Sequence, residues 1–296
     1  MCSLRRMGEK CVRLLPRLPV ANFKKRLGLV FGIVYCGPGF AALLLPSVVG
    51  QLIGRYGWKG AYVGLAIVCL CALPIIAFLL RSQYSGDSSI NSVSVAAPWN
   101  ARLFADRRFV LLAVVFLLCS TGIFGTIVHF VPMLTDRGIA PATAAGMAGL
   151  VGFAVIGGRL ITGFLLDLVE SNALATAIFS ISACGLLMMA SGNPDLILPG
   201  TLAMGFTIGA EFDLALYMIG KRFPAAHFGT LFGGIYAAVS IGGGAGPMLA
   251  GLMYDATGTY LVWFVFAAGC LLVSSLLCLV GRSPAFRGST TAVRAA

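Results

Sequence analysis

Eight long apolar runs constrain this chain more than any other feature. They lie near residues 27–53, 60–80, 109–134, 141–167, 172–190, 194–220, 228–254 and 259–281. Each holds about 19 to 27 residues, and about 20 are enough to cross the hydrocarbon layer of a bilayer. Inside lipid the backbone must satisfy its own N–H and C=O groups, so each run is expected to be a helix. Composition agrees: 59% of the 296 residues are hydrophobic and 10% charged, where a soluble domain carries about 25% charged. The fold class read from the sequence is all-α integral membrane, and the lipid bilayer is the first partner. Pro141 and Pro194 open runs, where a first helical turn tolerates proline. Pro46, Pro74 and Pro247 fall inside runs and are expected to kink them.

The net charge of +11 does not point to nucleic acid. Basic residues of membrane proteins collect on the cytoplasmic side. With the N-terminus inside, seventeen Lys and Arg fall in inner segments and three in outer ones. Arg159 alone lies within a run. Both termini are therefore expected in the cytoplasm. The expected organisation is a basic segment 1–26, two helices over 27–80, a Ser-rich cytoplasmic loop 81–108, six helices over 109–281 and a tail 282–296.

Nine cysteines include no C-x-x-C pair and read as small buried hydrophobes. No H-E-x-x-H or other metal-ligand spacing is visible, so no metal and no cofactor is expected. The N-terminal stretch lacks the continuous apolar region and cleavage site of a signal peptide. No nucleotide-binding motif and no nucleophile–base spacing occurs, which argues against both a pump and an enzyme.

One pattern occurs twice. At an offset of 201 residues, Gly28, Phe31, Gly32, Tyr35, Pro46, Gly50 and Gly57 match Gly229, Phe232, Gly233, Tyr236, Pro247, Gly251 and Gly258. Two readings stand. Both copies are Gly-rich packing helices, with Gly28/Gly32 and Gly229/Gly233 permitting close approach. Alternatively they are equivalent parts of a duplicated bundle of the kind secondary transporters use. On the second reading the six later helices predict a six-helix partner half, of which four helices would precede Met1.

The stretches NFKKRLGLVFGIVYCGPG, HFVPMLTDRGIAPATAAGMAGLVGFAVIGGRLITGFLLD and GAEFDLALYMIGKRFPAAHFGTLFGGIYAAVSIGGGAGPMLAGLMYDATGTY resemble the major facilitator superfamily. Within it they are most similar to the monocarboxylate-porter and oxalate/formate-exchanger branch. The resemblance covers about residues 21 to 283 and implies a twelve-helix bundle, of which this chain would hold helices five to twelve. It departs from the family at the loop after the eighth helix. There Gly163 and Asp167 remain of a G-x-x-x-D-R-x-G-R pattern, but its basic residues and second glycine do not.

An ionisable group near the bilayer centre costs roughly 2.5–3.5 kcal/mol on insertion scales and needs a partner or a watery cavity. Arg159 is the sharpest case. It reads either as a cation that grips a carboxylate substrate through its planar fork or as half of a structural ion pair. The resemblance implies the first, since the monocarboxylate branch places an Arg at this point. Glu211 and Asp213 lie at similar depth but point about 200° apart on a helix, so one of them is expected to face the cavity. That one either couples transport by carrying a proton, because burial favours the neutral form, or only packs as a salt bridge. His129 reads as an interfacial histidine or as a pH-responsive group at the outer mouth. Tyr35 and Tyr236 read as cavity-lining or packing aromatics, and Asp167 as a gating candidate. The run GGGAGP at 242–247 is expected to press its helix against a neighbour.

Residues and resemblance together imply a secondary transporter of a small organic anion, a monocarboxylate foremost. It would work by alternating access with proton symport or exchange. The alternative is a transport-inactive membrane fragment, or a subunit completed by a partner chain. The expected location is a bacterial inner membrane.

Overall fold

The computed structural model describes residues 37–84 and 103–281, which are helical with no strand among them. Helix α1 is Gly37–Tyr84, α2 Arg107–Val128, α3 the short Phe130–Thr135, α4 Pro141–Leu168 and α5 Ser171–Ala190. Then come α6, Pro194–Arg222, α7, Phe228–Thr257, and α8, Leu261–Val280. Among the described residues, seven helices are long and apolar enough to cross a membrane. Residues 27–36 of the first expected run lie outside the described residues. The remainder of that run joins the next in α1, where Gly57 (φ 68°, ψ 178°) interrupts the helical backbone. The helix runs on through Pro46 and Pro74, so the break falls at glycine and not at proline. Pro141 and Pro194 do open their helices.

The helix ends are legible in the chain. Asp106 caps α2 by accepting from the Arg108 N–H at 2.8 Å, and Asn193 caps α6 by accepting from the Asp195 N–H at 3.0 Å. Gly258 closes α7 in the left-handed region, φ 67°.

The packing runs in a series: α7 lies along α2, α2 against α8, α8 against α5, α5 against α6, and α6 against α4, while α1 packs on α4. Trp263, Phe116, Phe130, Phe179 and Phe264 fill the centre. In lipid, burying apolar side chains gives little net drive to bring helices together. Close backbone approach and hydroxyl bonds must do it. Ser274 Oγ donates to the Val115 carbonyl at 3.1 Å, joining α8 to α2. Ser275 Oγ donates to the Thr176 carbonyl at 3.1 Å, joining α8 to α5. Trp263 Nε1 donates to Thr126 Oγ1 at 3.1 Å.

Small residues set the closest approaches. The GGGAGP run does press on a neighbour: a Cβ at Gly242 or Gly246 would meet backbone atoms of α2 at Leu117 and Thr121. Gly233 does not, since nothing lies within 4 Å of the Cβ it would carry. The reading of Gly229/Gly233 as a packing pair therefore fails at its second member. The cysteine expectation also needs correction. Cys119, Cys270 and Cys278 are buried, but Cys69, Cys71 and Cys184 are exposed on the helix surface. In a lipid solvent an apolar thiol has no reason to hide.

Candidate functional site

The site is built where α4 crosses α6. A Cβ at Gly158 would run into the Phe206 carbonyl, and one at Gly209 into the Val155 carbonyl. Two helices that touch backbone to backbone bring their neighbouring side chains together. Arg159 follows Gly158 directly and is buried, 4% exposed. Its Nη1 lies 3.4 Å from Asp213 Oδ1 on α6. Charge-assisted N–H···O bonds are usually about 2.7–2.9 Å, so this contact is long for its kind. The second carboxylate oxygen, Asp213 Oδ2, is buried without a hydrogen-bond partner among the described residues.

Glu211 takes the opposite face of the same helix, as a two-residue separation requires. It is 1% exposed and accepts a hydrogen bond from Ser120 Oγ on α2. Both carboxylates are thus buried, on different sides of α6, and Arg159 pairs with Asp213. The two acids point to different sides of α6, as expected, and one of them, Asp213, meets Arg159. Ser120 was not singled out in the sequence, although its hydroxyl, next to Thr121, interrupts the apolar run of α2.

Tyr236 on α7 is half exposed at 53%. Its ring packs on Phe212, 6.0 Å between centroids, between the two acids on α6. Tyr35 lies outside the described residues. Asp167 is exposed near the end of α4, eight residues from Arg159 or about 12 Å along the helix, so the structure does not bring it to the ion pair.

His129 sits at the junction of α2 and α3, remote in sequence from its contacts. Its Nε2 lies 3.1 Å from the Pro247 carbonyl and its Nδ1 3.3 Å from the Tyr260 hydroxyl. One tautomer satisfies both: Nε2–H donates to the carbonyl and Tyr260 O–H donates to Nδ1. Tyr260 in turn stacks on Tyr254 at 4.3 Å.

The Major Facilitator Superfamily model matches residues 17–210 and 172–295. The chain belongs to that superfamily. Its relatives include monocarboxylate transporter 11 of Homo sapiens, 27% identical over 86% of this chain and 56% of the relative. Monocarboxylate transporter 13 of Rattus norvegicus is 29% identical over 86% of this chain and 59% of the relative. The chain thus spans somewhat over half the length of these relatives. Among solved structures, the major facilitator transporter FucP in the outward conformation superposes with a TM-score of 0.65 at 16% identity. It covers 90% of this chain and 71% of that one. A variant of the E. coli fucose:proton symporter FucP gives 0.66 at 16% identity, over 90% and 72%. At that identity the likeness shows the fold.

One more contact in this superfamily member escaped the sequence reading. Arg137, in the turn after α3, donates from Nη1 to the Met189 carbonyl at 2.6 Å and lies 5.2 Å over the Phe264 ring. Partial burial draws its pKa below the usual arginine value. It pins the end of α5 to α8, and nothing in the local sequence TDRGIA announces that.

Proposed function

We propose that this protein takes part in secondary transport of a small organic anion, a monocarboxylate foremost, by alternating access. The observation that carries the reading is the Arg159–Asp213 pair, buried between α4 and α6 at 3.4 Å. A guanidinium presents five donors in a planar fork, so Arg159 can take a substrate carboxylate beside the internal one. Asp213 then serves as the counter-ion of the empty site. The names of the relatives, monocarboxylate transporters, support the substrate class. Proton symport or exchange would supply the driving force.

On this reading α1 belongs to one bundle and α2 to α8 form the second; the expected loop 81–108 is shorter than the sequence suggested, since α1 runs to Tyr84 and α2 begins at Arg107. Both termini face the cytoplasm and the protein works in the cell membrane. The relatives named above are from mammals, so a bacterial membrane rests on the sequence reading alone. Tyr236, and Tyr35 as its repeat equivalent, would line the path of the substrate. Asp167 would act at the inner gate and His129 at the outer mouth.

The test is uptake of labelled L-lactate and pyruvate into proteoliposomes holding the purified chain, with Arg159→Lys beside the wild type. Arg159→Lys keeps the charge and loses the fork, so uptake at low substrate should fall roughly tenfold or more. Undiminished uptake removes Arg159 from the site.

A second reading, a subunit that transports only with a partner chain, has one observation in its favour. In α1 only 6% of the membrane-length window is buried, against half or more in α2, α4, α5, α6 and α8. Uptake that appears only when a second membrane chain is co-reconstituted would support it.

A further inference from the structure

We infer that Glu211, and not Asp213, carries the proton that accompanies the anion, with Ser120 as its hydrogen-bond partner. The inference rests on the transport reading above and assigns the coupling step within it.

The two acids have different company. Asp213 faces a permanent cation, Arg159, at ion-pair distance. Glu211 has no cation within ion-pair distance among the described residues. Its hydrogen-bond partner there is a neutral hydroxyl, Ser120 Oγ. Ionised carboxylates are expensive to bury unless they are paired and fully hydrogen-bonded. Asp213 meets the first of those conditions and Glu211 does not. A proton therefore belongs on Glu211 before it belongs on Asp213.

Among the described residues, the surroundings of Glu211 contain little else that titrates. From α2 come Ser120 and the buried thiol of Cys119, which is within electrostatic reach of Glu211. From α4 comes Arg159, also within electrostatic reach. On α6 itself Asp213 lies on the far face. From α7, Tyr236 packs on the intervening Phe212. Helix α5 carries no charged residue. Among the described residues, Arg159 is thus the cation that both acids feel.

That shared cation supplies the coupling. In the empty site Arg159 is the cation that compensates Asp213 directly and Glu211 at longer range. A substrate carboxylate seated on the guanidinium cancels the same charge. Glu211 then loses its compensation and takes a proton from the aqueous side onto a carboxylate oxygen. The buried groups carry the same net charge before and after: one cation and two anions when empty, then one cation, Asp213, the substrate anion and a neutral Glu211 when loaded. Because linkage is reciprocal, a protonated Glu211 also strengthens anion binding.

The hydrogen bond has a further use. Ser120 can donate to an ionised Glu211 or accept from a protonated one, since a hydroxyl does both. The contact between α2 and α6 therefore survives the change of protonation state, and the proton can come and go without unpacking the bundle.

The test uses the whole chain in lipid nanodiscs. An infrared pH titration without substrate should show the carbonyl stretch of a protonated, buried carboxylic acid growing as the pH falls. The band should vanish in Glu211→Gln, persist in Asp213→Asn, and shift in Ser120→Ala, which loses the hydroxyl partner. A band that survives in Glu211→Gln, or that ignores Ser120→Ala, overturns the assignment. In a second measurement L-lactate is added to weakly buffered protein with a pH dye. The wild type should take up about one proton per lactate bound, and Glu211→Gln none. Equal proton uptake by Glu211→Gln overturns the coupling. If lactate, pyruvate and acetate bind to no form, the anion reading fails, while the infrared titration still decides for or against Glu211 as the proton site.

Discussion

Gly57 and Gly258, 201 residues apart in the chain, hold nearly the same left-handed φ, 68° and 67°. They are the last matched pair of the repeated pattern, and each stands where a helical stretch is interrupted or ends. Their ψ values differ: Gly258 (ψ 11°) is in the left-handed helical region, where an L side chain costs about 1–2 kcal/mol, and Gly57 (ψ 178°) is in a region essentially reserved for glycine, with strain of about 1–3 kcal/mol. Nothing lies within 4 Å of the Cβ that either glycine would carry, so no packing clash is added. Gly258→Ala should lower stability by about 1–2 kcal/mol and Gly57→Ala by about 1–3 kcal/mol, and additively, since distant sites do not couple. Thermal unfolding in detergent checks this, and two unchanged melting curves would remove the conformational argument.

The crossing of α4 and α6 makes a sharper claim. Gly209 meets the Val155 carbonyl, while Gly157, two residues further along α4, faces open space. Gly209→Ala should force the helices apart and cost about 1–3 kcal/mol. Gly157→Ala should be neutral or slightly stabilising, because alanine favours helix over glycine by up to about 1 kcal/mol. Comparing the two variants separates close approach from a general effect of losing a glycine. If Gly157→Ala is the more harmful, the crossing is placed wrongly.

Much of the fold was legible because lipid imposes a length on each helix. The runs at 172–190 and 194–220 came within two residues of α5 and α6 at each end, and prolines marked two starts. The split at His129 was not legible, since the run 109–134 stays apolar across it. At the candidate site the sequence named Arg159, Glu211 and Asp213 from the cost of charge in lipid. It did not assign the partners. Which acid meets the arginine depends on the rotation of α6, and that is fixed by Gly158 and Gly209, two of 38 glycines. A serine in an apolar helix carries no such cost, so Ser120 gave a weak signal.

Arg137 offers a test away from the ion pair. It bonds the Met189 carbonyl at 2.6 Å and stacks over Phe264. Arg137→Lys keeps the charge but loses the planar stack, and should cost about 1 kcal/mol. Arg137→Met removes the hydrogen bond as well and should cost more. Hydrogen exchange of the amides at the end of α5, near Met189, should rise in both, more in the methionine variant. Exchange that is unchanged in both would show that the contact does not hold α5.

The ion pair itself separates stability from function. Asp213→Asn leaves the Arg159 guanidinium buried beside a neutral amide, and breaking one side of a buried pair costs about 3–5 kcal/mol. Arg159→Met with Asp213→Leu removes both charges and fills the space. Such replacements are often neutral or stabilising, so this double variant should unfold close to the wild-type temperature. On the transport reading its anion binding should nevertheless be lost, because the proposed carboxylate grip is gone. A purely structural pair predicts otherwise: the double variant would regain stability and keep its binding of L-lactate. Thermal unfolding and lactate binding measured on the same three samples distinguish these outcomes. Retained binding in the double variant would move the site away from α4 and α6 altogether.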